Sequence, residues 1–249
     1  MTTESLYADP AHARLYDHHC PWSPDCDFCL ALAREGSRTV LDLGCGTGRL
    51  AVRIAAETGA QTWGVDPAPA MLSQARSRTG GAAVRWVDGD ARTARLGRRF
   101  DLVVMTGHAF QTLLTPADRA AALATIAVHL SPGGRFVFDS RNPNAREWLS
   151  WTHEASRETF AVPGLGTITA WNNHTADEAA GIITYSTFYD VPAEGRTLSS
   201  VSRIAFPPYE TLANEIAEAG LTADRWMGEW DGRPYAPDAP EIIPVGRLA

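Results

Sequence analysis

The chain has 249 residues, a formal net charge of −7 and no lysine, so its 22 basic side chains are all arginine. That length suits one α/β domain with an elaboration and a substantial core, and the acidic balance speaks against nucleic acid, which demands a basic face. No run of 18 apolar residues occurs and Met1-Thr2-Thr3-Glu4 is not a signal peptide, so the expectation is a soluble, cytoplasmic protein with no membrane partner.

Residues 4–17 and 25–35 read as two helices joined by the turn-rich Cys20-Pro21-Trp22-Ser23-Pro24. Cys20, Cys26 and Cys29 follow His18-His19, but their spacing is irregular and prolines stiffen the interval, so no metal is expected. A strand over 39–43, a helix over 48–57 and a strand over 61–65 come next, and Pro67-Ala68-Pro69 opens a further helix. Strands follow at 84–87, 101–105 and 136–139, with a helix over 116–130 between the last two. Arg92, Arg95, Arg98 and Arg99 cluster in one polar loop and read as a solvated face. Strands alternating with helices predict an α/β fold, a doubly wound, seven-stranded, mostly parallel sheet.

The pattern changes after Asn144. Residues 167–171, 182–189 and 198–206 are rich in β-branched and aromatic side chains, which predicts an inserted antiparallel β meander. A helix over 208–219 and two short strands after Gly220 finish the sheet. The expected organisation is an N-terminal helical cap over 1–36, a core over 37–142 and 207–249, and a lid over 143–206. No self-complementary signal separates monomer from homodimer.

The densest chemistry lies in Val40-Leu41-Asp42-Leu43-Gly44-Cys45-Gly46-Thr47-Gly48-Arg49, followed by Trp63-Gly64-Val65-Asp66. This is a buried strand, a glycine turn, a helix and a second strand ending in an acid. Glycines permit positive φ and close approach of a ligand. The dinucleotide fingerprint G-x-G-x-x-G is not matched: the third glycine comes one residue early. Asp42 at the strand end suits an ammonium rather than a pyrophosphate, and Asp66, 20 residues after Gly46, suits ribose hydroxyls. Ammonium plus ribose points to S-adenosylmethionine.

The run Asp42 to Gly48 resembles motif I of the class I S-adenosylmethionine-dependent methyltransferases. Gly64-Val65-Asp66, Asp88-Gly89-Asp90-Ala91, Phe100 to Val104 and Leu130 to Phe136 match further stations in order. The resemblance implies S-adenosylmethionine as cofactor, held by Asp42, Gly44, Cys45, Gly46, Asp66, Pro67 and Gly89. It also implies that Asp90 accepts from the adenine amino group while Ala91 offers its N–H. Met71 either packs on the adenine or is core. Tyr16 and Trp22 either cap the cofactor from the N-terminal region or simply pack.

Ligands in such sheets bind beyond the carboxyl ends of the strands. Met105-Thr106-Gly107-His108-Ala109-Phe110-Gln111 is therefore expected to pass beneath the reacting sulfonium. His108 is the candidate general base, or else a hydrogen-bonding group, and Gln111 is a polar partner of the same kind. The Asp/Asn-Pro-Pro-aromatic motif common in methylation of nucleobase amino groups is missing here. After the next strand, Asp139, Arg141 and Asn142 stand at the pocket rim, binding an acceptor or pairing within the protein. Trp171, His174, Tyr185 and Tyr189 wall the acceptor pocket or form core. The resulting expectation is methyl transfer to nitrogen or oxygen of a small-molecule acceptor. A protein or RNA methyltransferase, and a non-methylating binder of the same cofactor, stand as alternatives.

Overall fold

The computed structural model describes Tyr7 and residues 9–249. The expected first helix therefore lies partly outside the described residues, as does Met1–Glu4. Helix α1 (Pro10–His19) begins behind Asp9, whose carboxylate accepts from the Ala11 amide, and α2 (Pro24–Arg34) begins with proline at its first turn. Then come β1 (Thr39–Leu43), α3 (Arg49–Thr58), β2 (Gln61–Asp66), α4 (Pro69–Ser77), β3 (Arg85–Asp88) and β4 (Phe100–Met105). The core continues with α5 (Pro116–His129), β5 (Leu130–Phe138) and the two-residue β6 (Ser140–Arg141). Four lid strands follow: β7 (Glu158–Val162), β8 (Gly166–Asp177), β9 (Ile182–Val191) and β10 (Arg196–Ala205). Helix α6 (Tyr209–Glu218), β11 (Leu221–Met227) and β12 (Glu241–Leu248) return the chain to the main sheet.

The main sheet runs β11-β12-β5-β4-β1-β2-β3, with β6 pairing β12 off this path. Strands β1 to β5 are parallel, and β12 is antiparallel to both β5 and β11. Their side chains alternate between two apolar layers. Leu41, Leu43 and Val103 enter the layer shared with α5 and α6, whereas Val40, Leu102 and Val104 face α2 and α3. Burial on both faces explains why β1 and β4 read as nearly continuous apolar runs. The strand order reverses between β1 and β4, which opens a crevice beyond their carboxyl ends.

The lid is a separate antiparallel sheet of order β10-β9-β8-β7. It contains one strand more than the sequence pattern indicates, because Glu158–Val162 is short and has Val162 as its single buried residue. Gln111, fully buried, donates to the Ala205 carbonyl at 2.7 Å and so ties the lid to the loop after β4. No helix among the described residues is long and apolar enough to cross a membrane.

Candidate active site

A cavity of about 540 Å3 opens at the carboxyl ends of β1 and β4, between the main sheet, the α1–α2 segment and the lid. Its floor is the turn after β1. Gly44, Gly46 and Gly48 all have positive φ, yet they serve different ends. A Cβ at Gly44 would lie 2.9 Å from that of Ala109, and one at Gly48 would collide with the Trp86 ring. At Gly46 it would meet no protein atom within 4 Å, so this cavity-lining position is a cradle left open for a ligand.

Asp42 is 2% exposed and lines the cavity. Burial, with Asp66 nearby, pushes its carboxyl up to about 7, as expected of an acid that lacks a cation. Asp66 accepts from the amides of Gly46 and Ala68, both at 2.8 Å, which leaves further lone pairs for hydroxyl donors. The residues present have the chemistry that S-adenosylmethionine calls for: a buried carboxylate and an open cradle in the lining, with the Asp66 carboxylate bonded to the Gly46 amide behind them and outside the lining. Helix α1 closes over this end. Thr47 donates to Asp17 at 2.6 Å, Arg78 also pairs with Asp17, and Tyr16 is a half-buried wall residue.

The opposite end is built around His108. Gly107 and His108 both have positive φ, at 66° and 58°, and a non-glycine residue in that region costs about 1–2 kcal/mol. Asp139 holds the turn by accepting the His108 amide at 3.0 Å. His108 Nε2 lies 2.8 Å from Glu241 Oε1 and 3.7 Å from Asp139 Oδ2. Burial and Arg141 push the His108 pKa down, but the Asp139 and Glu241 carboxylates outweigh them and it ends raised. Asp139, 1% exposed, is itself pushed up to about 7 by burial despite His108. Arg141 bonds Glu147 and Gln111, each at 3.0 Å, and lies over the Trp151 ring. Glu241 Oε2 is buried without a hydrogen-bond partner.

Of the residues singled out from sequence, Tyr16, Asp42, Gly44, Cys45, Gly46, Thr106, Gly107, His108, Asp139, Arg141, Tyr185 and Tyr189 line this cavity. Others are placed differently. Trp22 packs on the α2 side, donating to Asp27 at 2.7 Å with Arg53 over its ring. Met105 and Phe110 lie in the main core, where Phe110 stacks on Phe138. Gln111 serves as the lid tether, and Asn142 is consumed by the Pro237 and Ala239 carbonyls. Trp171 stacks on Phe188 within the lid, and His174 bonds the Trp151 carbonyl. Met71 is buried beside Tyr16. Asp66, Pro67, Gly89, Asp90 and Ala91 sit around the ends of β2 and β3, outside the lining, and Asp90 is occupied by Arg92.

Sequence reasoning missed Glu241, Glu147, Trp151 and Trp230 in the lining. Glu241 arrives through the antiparallel pairing of β12 with β6, in register with Arg141. No local motif announces a residue delivered by a strand from the far end of the chain.

A methyltransferase-domain family model matches residues 40–134. The chain is 29% identical over 218 residues to a cypemycin N-terminal methyltransferase of a Streptomyces species, spanning 84% of this chain and 82% of that protein. Among solved structures, the CcbJ methyltransferase from Streptomyces caelestis superimposes with a TM-score of 0.79 at 21% identity, covering 99% of each chain. CalS10, an amino pentose methyltransferase from Micromonospora echinaspora solved with S-adenosylmethionine bound, gives a TM-score of 0.69 at 25% identity, covering 99% of this chain and 100% of that one.

Proposed function

We propose that this chain, which belongs to the class I S-adenosylmethionine-dependent methyltransferases, methylates the nitrogen of a small-molecule amine. One observation carries the choice of nitrogen. The cavity end around His108 holds three carboxylates, Asp139, Glu147 and Glu241, and Glu241 Oε2 is buried with no hydrogen-bond partner. Such an oxygen calls for a donor, and an ammonium or amine supplies one with matching charge. The names of two relatives, an N-terminal methyltransferase and an amino pentose methyltransferase, run the same way.

When bound, S-adenosylmethionine supplies an electrophilic methyl group on a sulfonium. Asp42 would hold the donor's ammonium and Asp66, behind the Gly46 turn, its ribose, while Tyr16 and the helix behind it would exclude water. Most of the acceleration then comes from positioning in a closed site. Glu241 Oε1, at 2.8 Å, keeps a proton on His108 Nε2, which leaves Nδ1 to take the proton that the amine must lose. Asp139 maintains the strained His108 backbone through its amide. The donor would supply the methyl group to the acceptor nitrogen, its sulfonium sulfur keeping the bonding pair as the leaving group.

The test uses matched acceptors, an amino sugar and its hydroxyl counterpart, each incubated with donor and enzyme. Release of S-adenosylhomocysteine with the amine alone is expected. Equal release with the hydroxyl compound would refute the assignment.

A further inference from the structure

A second cavity, of about 800 Å3, lies between the lid and the core and shares no lining residue with the first. Trp148, Ile183 and Phe206 stand on its lid side, and Pro116 and Arg119 of α5 on its core side. Two polar side chains of this wall are more than nine-tenths buried, and each keeps a donor unused. Trp148 is 5% exposed, and its indole Nε1 is buried with no hydrogen-bond partner. Arg119 is 6% exposed. Glu215, outside the lining, accepts from its Nε at 2.8 Å and its Nη2 at 2.6 Å, and no hydrogen bond among the described residues uses Nη1. A buried N–H without an acceptor carries its whole desolvation cost, so an oxygen in the cavity would offset it.

Charge and shape narrow the ligand. The lining holds two cations, Arg119 and Arg146, against one acid, Glu178. Glu178 is engaged by Arg146 in a solvent-exposed pair, which contributes little and exchanges readily. Arg146 lies over the Trp148 ring, 6.0 Å from its centre, and has a positive φ of 49°. Among the described non-glycine residues only His108, at the active site, shares that departure, and strain of this kind gathers at ligand sites. Trp148 and Phe206 meet edge to face at 4.7 Å, which leaves apolar faces suited to a further ring.

We infer that this second cavity binds a small aromatic carboxylate, whose oxygens take the donors left by Trp148 and Arg119 while its ring packs on Phe206 and Ile183. The site is independent of the donor site, but a shared wall connects the two cavities. Trp148, Ile183, Ile204 and Phe206 form one cluster against which Trp151 and Tyr185 pack, and Ile204, Trp151 and Tyr185 line the first cavity.

NMR of the indole N–H groups tests it with phenylacetate and its uncharged counterpart, phenethyl alcohol; the Trp148 signal is identified by its loss in Trp148→Phe. Phenylacetate is expected to move that signal downfield and to saturate with a Kd of about 1 mM, as suits roughly ten non-hydrogen atoms. Trp148→Phe keeps a ring but loses the donor, and weakens phenylacetate binding about tenfold, the range for a hydrogen bond to a charged acceptor. Arg146→Gly relieves the backbone and removes a cation, and weakens it about threefold. Phenethyl alcohol binds the wild-type protein at least about tenfold more weakly than phenylacetate, a comparison that needs no variant. Equal affinity for the two compounds would overturn the proposal, as would a Trp148 signal unmoved by phenylacetate. Movement of the Trp230 signal in place of that of Trp148 would put the acid in the first cavity, which Trp230 lines, and would overturn it too.

Discussion

Single residues at the ends of β1 and β4 carry opposed demands of stability and chemistry. Gly46 and Gly48 separate them within one turn. Gly48→Ala places a Cβ into the Trp86 ring, whereas Gly46→Ala meets no protein atom within 4 Å. Both substitutions incur the left-handed penalty of about 1–2 kcal/mol. We therefore expect Gly48→Ala to lower the unfolding midpoint well beyond that, and Gly46→Ala to fold with a modest loss while failing to bind S-adenosylhomocysteine; thermal unfolding and calorimetry on the pair check both. His108 is tuned from two sides, with Arg141 lowering its pKa and the nearby carboxylates raising it. Glu241→Gln is accordingly expected to move the His108 titration to lower pH and Arg141→Met to move it to higher pH, followed by the ring proton resonance. The same residues mark the limit of legibility. Asp42 and His108 stand in or beside local motifs, but Glu241 is 133 positions from His108 and only tertiary pairing brings it close.

Elements position these residues, and the most consequential of them is α1. It contacts the glycine turn through Asp17 and the lid through Arg14, which pairs with Glu194 at 2.5 Å. Donor release is expected to be slowed by these contacts of α1 with the turn. Asp17→Ala removes both Thr47 and Arg78 as partners, and a loss of about 1–2 kcal/mol corresponds to roughly 5–30-fold faster release of S-adenosylhomocysteine in stopped-flow. Strands β1 and β4 were readable within a residue of their bounds because both faces are buried. β5 is longer than its sequence pattern indicates: Ser131-Pro132-Gly133-Gly134 has turn composition, yet the pairing with β4 resumes after a register shift between Phe100 and Leu102. The lid strand β7 gave little signal since its outward face is polar and solvent-exposed.

At the scale of the molecule, charge burial couples stability to pH and to the donor. Asp42 and Asp139 are both pushed up to about 7, against an ordinary aspartate value near 3.9. Between those values the folded state binds more protons than the unfolded one, so the stability from the protonated carboxyls is complete below about 3.9 and is lost as pH rises through about 7. The free protein is expected to melt at lower temperature at pH 8 than at pH 5.5, and Asp139→Asn to narrow that difference. Donor binding runs the other way. Its ammonium favours ionised Asp42, so affinity for S-adenosylhomocysteine falls as pH drops below about 7, by at most about tenfold per unit, and Asp42→Asn removes the dependence.

On the proposed reading, the carboxylate-lined end of the cavity presents a nitrogen to the donor's methyl group. The most direct measurement supplies S-adenosylmethionine with a deuterated methyl group to the wild-type enzyme and an acceptor bearing both an amine and a hydroxyl, then locates the label by NMR. The trideuteromethyl group is expected on nitrogen; its appearance on oxygen or carbon would contradict methylation of an amine.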